Sequence, residues 1–423
     1  MRKKNILIVA SYDSFLKTGS NLVHHFKRRN THCQIAILKI KPNQIARRQV
    51  FEAIGREDCL RFTFSQLTDP QIFNQFDGVV LALDGPSCKR VFVRLSKYEG
   101  PRPAILTLYP GLVFRYDYDG FAARAPADLV WLNCANDLAK YKGLRDSVAA
   151  ENNGRNFGIA TLLDPSDLKI KCNQSSLKNS INKTVVFFEQ VAIPKNKVDR
   201  ESLVKILFNI AVNNPDYTLI IKPRMMKTEK TVHNLKSSLH IENLIKDTKR
   251  EKPDNVKISY SSANQLLKEC DVCLTISSTV AIEAIHQNTH VAILNDFGFH
   301  DDDGVHYFLG SNLISSANDL QLNEMRKPDI TWLKSHITNP NKTIEHLVDE
   351  FLELAEVGKT SGLPPIQISP WLGSKQHIAE LRKLNIDDDS LALGWYRYPV
   401  RKWITKKLSQ LYSLACAKRF RHH

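Results

Sequence analysis

Short apolar runs that alternate with amphipathic stretches constrain the fold of this chain most strongly. In the first part of the chain, such runs occur at 5–10, 34–40, 78–83, 104–108, 129–133 and 157–163. Continuous apolar runs of this length are typical of strands that are buried on both faces of a parallel sheet. The stretches between them, such as 14–29 and 136–149, have the spacing of surface helices. The pattern predicts a doubly wound α/β domain.

A polar segment interrupts this pattern, and a second series follows it. Residues 164–182 are rich in Ser, Asn and Lys and lack periodicity, which is typical of a linker. Predicted strands then occur at 184–188, 218–222, 255–259, 272–276 and 290–294, with helices near 200–213, 233–246, 262–269 and 279–287. Further helices are predicted at 342–357 and 400–420. We therefore expect two Rossmann-like domains, 1–165 and 183–360, that face a cleft, and a helical basic tail at 361–423.

The charge of the chain favours anionic partners. The formal net charge is +15, and residues 391–423 contribute eight Lys and Arg without any acid. Nucleotides, phosphates, acidic glycans, membrane surfaces and nucleic acid all fit such a charge. The basic tail also carries aromatic residues such as Trp395 and Trp403, which suits peripheral contact with an anionic inner membrane. Packing of the tail against the first domain is the alternative.

The sequence predicts a cytoplasmic protein. The apolar run near the N-terminus is too short for a signal peptide, and no segment approaches the roughly 20 apolar residues of a membrane span. The eight cysteines are scattered, as expected of small apolar residues in a reducing compartment.

The strongest local motif follows the predicted strand at 272–276. Ser277, Ser278 and Thr279 stand between that strand and a helix, and Glu283 lies one turn later. Hydroxyl groups and the free N–H groups of a helix start can hold a phosphate without a metal, and a carboxylate can accept hydrogen bonds from a ribose. An ordinary helix cap is the alternative interpretation of this motif.

A second motif follows the predicted strand at 218–222. Lys222 and Arg224 flank a proline that ends the strand, so both cations are expected at the cleft. Arginine can grip a phosphate through two parallel hydrogen bonds, whereas lysine acts as a point charge. Glu229 and His233 follow at a spacing of four, which places them on one face if a helix begins there.

The first domain offers two candidate catalytic carboxylates. Asp13 follows the first predicted strand and Asp84 follows the third. A carboxylate at such a strand end can act as a general base on a hydroxyl group, although Asp13 could instead cap the next helix. Gly111, in a turn after the strand at 104–108, permits close approach of the backbone to a ligand, and Arg124 lies downstream in the same part of the cleft.

Two patterns raise the question of a metal. His300 begins an acidic loop that continues to Gly304 and His306, and Cys270 and Cys273 form a lone C-x-x-C pair. The loop is predicted to be solvated, and no second Cys or His pair follows at zinc spacing. We therefore predict no metal site and no cofactor.

These motifs occur in an order that resembles one family of bacterial glycosyltransferases. The family resembles GT-B enzymes that add sialic acid, pseudaminic acid or Kdo to capsules and lipopolysaccharides. The motifs are Phe188-Glu-Gln190 with Pro194 and Arg200, Ile220-Ile-Lys-Pro-Arg224 with Glu229, Thr231 and His233, Ser277-Ser-Thr-Val-Ala-Ile-Glu283, Asn295-Asp-Phe-Gly298, Gly310-Ser311, Pro328 and Trp332. Lys222-Pro223 stands where those transferases usually carry a His-Pro motif.

The resemblance implies a GT-B fold and metal-independent transfer of a sugar. The second domain would hold the nucleotide, with a CMP-activated nonulosonic acid as the expected donor. The first domain would hold the acceptor, a bacterial surface glycan, with Gln190 lining the cleft. An inverting enzyme would use an acidic residue of the first domain as base, for which Asp13 is the nearest match, whereas a retaining enzyme would need no such base.

Three alternatives stay open. A UDP- or GDP-hexose could be the donor, or the enzyme could be a sugar-nucleotide epimerase of the same fold. The third alternative, a nucleic-acid-binding protein, rests on charge alone, because the sequence shows no recognition helix, RNA-binding sheet or zinc-finger signature.

Overall fold

A computed structural model describes residues 2–42, 44–114, 117–163, 183–191, 193–229, 236–248, 250–300 and 303–368. These residues belong almost entirely to one compact unit, Met1–Gln367. The linker predicted at 164–182 and the basic tail helix predicted at 400–420 lie outside the described residues.

The first lobe contains a parallel sheet of seven strands with the order β3-β2-β1-β4-β5-β6-β7. Its strands are β1 (Lys4–Ala10), β2 (Thr31–Leu38), β3 (Leu60–Phe62), β4 (Gly78–Ala82), β5 (Ala104–Leu108), β6 (Leu129–Leu132) and β7 (Gly154–Asn156). Its helices are α1 (Asp13–Lys27), α2 (Arg47–Ile54), α3 (Phe64–Leu67), α4 (Pro70–Phe73), α5 (Gly85–Leu95), α6 (Asp117–Arg124) and α7 (Ala135–Ser147). The strand order reverses between β1 and β4, and this switch point opens a crevice at the carboxyl ends of the strands.

The second lobe repeats this plan with a parallel sheet of six strands, ordered β10-β9-β8-β11-β12-β13. Its strands are β8 (Lys183–Phe188), β9 (Tyr217–Lys222), β10 (Val256–Ile258), β11 (Val272–Thr275), β12 (His290–Leu294) and β13 (Ile314–Ser315). The helices that follow are α8 (Lys197–Asn213), α9 (Ile241–Asp247), α10 (Ala263–Glu269), α11 (Val280–His286), α12 (Ile330–His336) and α13 (Ile344–Thr360). The second switch point lies between β8 and β11.

The predicted fold class, two doubly wound parallel α/β lobes, is confirmed. The strand predicted at 157–163 is wrong, because β7 precedes it. The N–H groups of Phe157 and Gly158 both donate to the carbonyl of Leu132, and Ala160–Leu162 forms a 3₁₀ turn. Gly158 has φ +110°, a conformation that closes the turn and that other residues rarely adopt.

The last described helix, α13, returns to the core of the first lobe. Its Phe351 packs beneath Gly78, where an added Cβ would lie 2.8 Å from the Phe351 ring. Phe26 of α1 meets the same ring edge-on at a centroid distance of 5.8 Å. On the surface, Arg29 forms ion pairs with Glu345 and Asp349. The division at 183–360 stays a prediction, and within that range α13 packs with the first sheet.

Candidate functional site between the two lobes

A buried ion pair fixes the segment that follows β9. Glu189, just after β8, is 5% exposed and pairs with Arg200, which is fully buried. The other oxygen of Glu189 accepts from the backbone N–H of Arg224 at 3.2 Å. Burial raises the pKa of Glu189, although the Arg200 guanidinium opposes this shift. The pair therefore anchors the backbone of Arg224, while the Arg224 side chain stays 44% exposed.

The Arg224 side chain forms an ion pair with Asp13 of the first lobe. Asp13 also accepts from the Nε2 of Gln49 at 3.1 Å. The capping interpretation of Asp13 is wrong, because Tyr12 occupies the N-cap position of α1 and makes no side-chain cap bond. The structure thus brings together the predicted phosphate ligand and the predicted base.

A second ion pair connects the lobes beside the first. Arg48 of α2 donates to both carboxylate oxygens of Glu229, at 2.5 and 2.9 Å. Burial works against ionisation of Glu229, but hydrogen bonds from Arg48 and from the Met226 N–H lower its pKa. Glu229 is therefore engaged by protein groups here, and its role toward a nucleotide stays a prediction. His233 lies outside the described residues.

Lys222 adds a second cation beside Arg224. Its ammonium donates to the carbonyl of Pro223 at 3.3 Å. Burial, reinforced by the charges of Arg224 and Arg48, lowers the pKa of Lys222 to about 8. The end of β9 is thus a place where positive groups crowd together, which favours a bound anion.

The loop after β11 is organised differently from the prediction. Ser277 is 2% exposed, and its hydroxyl donates to the carbonyl of Asp303. Its N–H donates to the Oε1 of Gln190 at 2.9 Å, and the Nε2 of Gln190 approaches the Ser277 hydroxyl at 3.3 Å. Its hydroxyl is thus buried and used within the lobe, and a role of Ser277 toward a ligand stays a prediction. Gln190 holds the loop to the end of β8.

Thr279 makes contact with the first lobe. Its hydroxyl accepts from the N–H of Leu112 at 3.3 Å, and a Cβ on Gly111 would lie 2.3 Å from that oxygen. Gly111 therefore permits a close backbone approach to Thr279, and its predicted approach to a ligand stays a prediction. Thr279 occupies the N-cap position of α11 without a side-chain cap bond, while the Ser278 hydroxyl accepts from the Val280 N–H at 3.3 Å.

Two remaining predictions from this motif stay untested. Ser278 and Glu283 are both partly exposed, so a ligand can reach them. Helix α11 has only seven residues, and a contribution of its dipole to phosphate binding stays a prediction.

The two other candidate residues of the first lobe, Asp84 and Arg124, have different surroundings. Asp84 caps α5, with its Oδ1 accepting from the Ser87 N–H at 3.0 Å, while its Oδ2 is buried without a hydrogen-bond partner among the described residues. Arg124 is 3% exposed, stacks over the ring of Tyr109 at 3.9 Å and donates to the Leu83 carbonyl at 2.6 Å. The guanidinium of Arg124 is therefore buried within the first lobe, and its predicted role at the cleft stays a prediction.

Sequence reasoning did not find Arg48 or Gln49. Both lie on α2, a helix of eight residues in which only Val50 is buried. Nearby, Gln44 is buried and donates to the carbonyls of Ser11 and Leu38 at 2.6 and 2.8 Å. These bonds fix the loop after β2 against the segment that leads to Asp13.

A buried carboxylate lies at the carboxyl end of β6. Asp137 is 1% exposed, and its N–H approaches the Sγ of Cys134 at 3.5 Å. Burial raises the pKa of Asp137 to about 7, and hydrogen bonding to Cys134 offsets only part of this shift.

Tyr307 is a buried phenol of the second lobe. Its hydroxyl donates to the His336 carbonyl at 3.1 Å, and burial raises the pKa of Tyr307 well above the usual value.

The structure describes most residues of the two motifs that raised the question of a metal. His300 is exposed, the Nε2 of His306 lies 3.2 Å from the Phe114 carbonyl, and residues 301–302 lie outside the described part. Cys270 and Cys273 are both buried in the second lobe. Within the described ranges, no group of three or more His, Cys, Asp and Glu side chains is arranged to hold a metal ion. No helix in that part combines the length and apolar character needed to cross a membrane.

Solved structures with similar architecture include three enzymes crystallised with nucleotides. UDP-GlcNAc 2-epimerase from Methanocaldococcus jannaschii, in complex with UDP-GlcNAc and UDP, has a TM-score of 0.56 at 14% identity over 82% of this chain and 99% of that chain. The Neisseria meningitidis UDP-GlcNAc 2-epimerase bound to UDP-GlcNAc has a TM-score of 0.51 at 13% identity, covering 82% and 99%. Arabidopsis thaliana UGT89C1 complexed with UDP has a TM-score of 0.51 at 12% identity, covering 83% and 100%. At these identities the likeness shows the fold alone.

Sequence comparison gives the family. No curated protein sequence matches the chain. A family model described as "Putative glycosyltransferase (DUF6716)" matches residues 6–354, which cover both lobes and most of the chain. The chain belongs to this glycosyltransferase family and has the two-lobed GT-B fold.

Proposed function

We propose that the protein transfers a sugar from a nucleotide-activated donor, held by the second lobe, to an acceptor held by the first. The observation that carries this proposal is Arg224, an exposed guanidinium on an anchored backbone at the cleft. The family and the fold support the reaction class. A guanidinium and a nearby ammonium suit a phosphate group, because both donate charge-assisted hydrogen bonds.

The chemistry follows from the charges on the two sides of the cleft. Arg224 and Lys222 would stabilise the negative charge that develops on the leaving phosphate, an effect commonly worth several kcal/mol. If the enzyme inverts, Asp13 takes the proton of the acceptor hydroxyl, with Asp84 as the second candidate. If it retains, neither carboxylate is needed as base. In both cases the cations carry the catalytic charge, and the proposal requires no metal.

The proposal names a donor class, a specific donor and an acceptor. A nucleotide sugar is the donor, and the motif order favours a CMP-activated nonulosonic acid. Structural neighbours were crystallised with UDP and UDP-GlcNAc, which makes a UDP-sugar the competing donor. The acceptor proposed from the family resemblance is a bacterial surface glycan, approached by a protein that contacts the inner membrane through its basic tail.

The test is a donor panel without metal. The protein is incubated with CMP-, UDP- and GDP-sugars in the presence of a chelator, and both nucleotide binding and nucleotide release are followed. We expect binding of one nucleotide class and slow release of the nucleotide without an acceptor. Absence of binding by every nucleotide would reject the proposal.

The epimerase alternative is favoured by the TM-score of 0.56 to a UDP-GlcNAc 2-epimerase. An epimerase converts its nucleotide sugar into an isomer without any acceptor. Chromatography of UDP-GlcNAc after incubation with the protein alone separates the two functions, because a transferase leaves no isomeric nucleotide sugar.

A further inference from the structure

One guanidinium stands between two anions that would compete for it. Arg224 is the cation best placed to receive a donor phosphate, and in this structure it is paired with Asp13. The two groups belong to different lobes, so their contact crosses the cleft. Asp13 is the candidate base, and one of its oxygens is occupied by Arg224 while that pair lasts.

The side chain of Arg224 is free to move although its backbone is fixed. Glu189 holds the Arg224 N–H, and this carboxylate is itself held by the fully buried Arg200. The Arg224 side chain is 44% exposed, so rotation of its outer bonds need not disturb any buried contact. A guanidinium of this kind can change partners while the strand end keeps its place.

Asp13 keeps a partner when Arg224 leaves. The Nε2 of Gln49 donates to the same carboxylate at 3.1 Å, and Arg48, the adjacent residue of α2, is paired with Glu229 of the second lobe. Arg224 and Gln49 both contact the Oδ2 of Asp13, so departure of Arg224 leaves that carboxylate with Gln49. The side chain of Asp13 is 16% exposed and can then be reached from the cleft.

We propose that Arg224 is exchanged between Asp13 and the donor phosphate, so that donor binding frees the carboxylate for the acceptor. This inference rests on the proposed function. In the inverting reaction, the acceptor hydroxyl gives its proton to Asp13, and its oxygen forms the new bond to the anomeric carbon. The bond from that carbon to the phosphate oxygen breaks, and the nucleotide leaves with the electron pair beside Arg224. The donor therefore binds before the acceptor can be activated.

The experiment measures affinity rather than turnover. Binding of UDP and of CMP to the full chain is measured by calorimetry in chelator-containing buffer, for wild type, Asp13→Asn, Asp13→Ala and Arg224→Gln. Removing the competing anion should tighten binding of the accepted nucleotide about two- to fivefold, the size expected for a partly exposed ion pair. Asp13→Ala should tighten it at least as much as Asp13→Asn, since asparagine keeps an oxygen that can accept from Arg224.

Two controls separate exchange from a general charge effect. Glu57→Gln removes one negative charge from an exposed site of the same lobe and should leave the affinity unchanged. In the Arg224→Gln background, Asp13→Asn should no longer tighten binding. The exchange is overturned if the Asp13 variants bind nucleotide no better than wild type, or if the same gain survives without Arg224. If wild type binds no nucleotide at all, the proposed function has failed.

Discussion

The two lobes have crevices built on the same strand order, but the side chains at their strand ends carry opposite charges. In the first lobe, β1 and β4 lead to Asp13 and Asp84. In the second lobe, β9 leads to Lys222 and Arg224. Repetition of the topology therefore fixes where each crevice lies, whereas the residues after each strand decide what it can bind.

The two crevices also differ in how the surrounding residues hold their functional side chains. The cationic side rests on a buried ion pair, Glu189 with Arg200, which fixes the backbone and leaves the functional side chain exposed. On the acidic side, Gln44 fixes the loop after β2, and Gln49 contacts the carboxylate directly. Because a nucleotide is an anion, we expect it to bind the cationic side.

Loss of Arg224 should have the largest effect on nucleotide binding. Arg224→Gln removes the charge and the paired donors, and we expect affinity to fall about ten- to a hundredfold, as for hydrogen bonds to a charged group. Arg326→Gln is the matched control, because it removes an exposed arginine from the same lobe. Calorimetric titration checks both. An equal loss in the two variants would mean that the second lobe attracts nucleotide through its overall charge.

The contact between the lobes should be sensitive to one methyl group. Gly111→Ala would place a Cβ 2.3 Å from the Thr279 hydroxyl, so the contact must shift, at a cost of about 1–3 kcal/mol. Gly143→Ala, in α7 with open space around it, should instead be neutral or stabilising. Urea unfolding gives the free energies. A Gly111→Ala protein as stable as wild type would contradict the close approach.

The buried acid of the first lobe predicts a pH dependence of stability. The folded-state pKa of Asp137 is raised to about 7 from an ordinary value of 3.8, so the folded protein binds more protons than the unfolded chain between these values. The stability contributed by Asp137 is present below pH 4 and is lost as the pH rises through 7. Relative to Asp137→Asn, wild type should lose thermal stability from pH 5 to pH 8.

Asp146→Asn, at an exposed position of the same helix, is the control for this comparison. If the difference in unfolding temperature between wild type and Asp137→Asn does not change with pH, the carboxyl group is not protonated in the folded protein.

Lys222 should have the smallest effect on nucleotide binding, a change in affinity of a few-fold with pH. Burial and the charge of Arg224 lower its pKa to about 8, so the free protein loses this positive charge as the pH rises through that value. Nucleotide affinity should therefore decline between pH 7.5 and 9. Lys222→Gln should bind more weakly at pH 7.5 and show a flatter profile, whereas the exposed Lys227→Gln should follow wild type. If the affinity of Lys222→Gln depends on pH in the same way as that of wild type, the Lys222 ammonium does not contact the nucleotide.

The sequence predicted the sheets well because buried parallel strands are continuous apolar runs. It missed β3 because that strand has only three residues and exposes Leu60 and Arg61. It also identified Arg224 and Asp13, since residues that follow strands gather at the crevice. Their contact could not be predicted, because no local pattern records how two lobes meet.

The sequence could not show which polar side chains of the predicted site are buried. Ser277 and Arg124 belong to residue types that bind phosphates elsewhere, yet their polar atoms are used by backbone carbonyls of the same lobe. Arg48 and Gln49 were not predicted as site residues, because their partners, Glu229 and Asp13, are far from them in the sequence.

A crystal structure of the protein with the nucleotide that binds in the donor panel would show directly whether Arg224 exchanges its partner. We expect a phosphate oxygen within about 3 Å of the Arg224 guanidinium, with the Arg224–Asp13 pair broken. A nucleotide bound in the first-lobe crevice, or a phosphate that leaves Arg224 paired with Asp13, would contradict it.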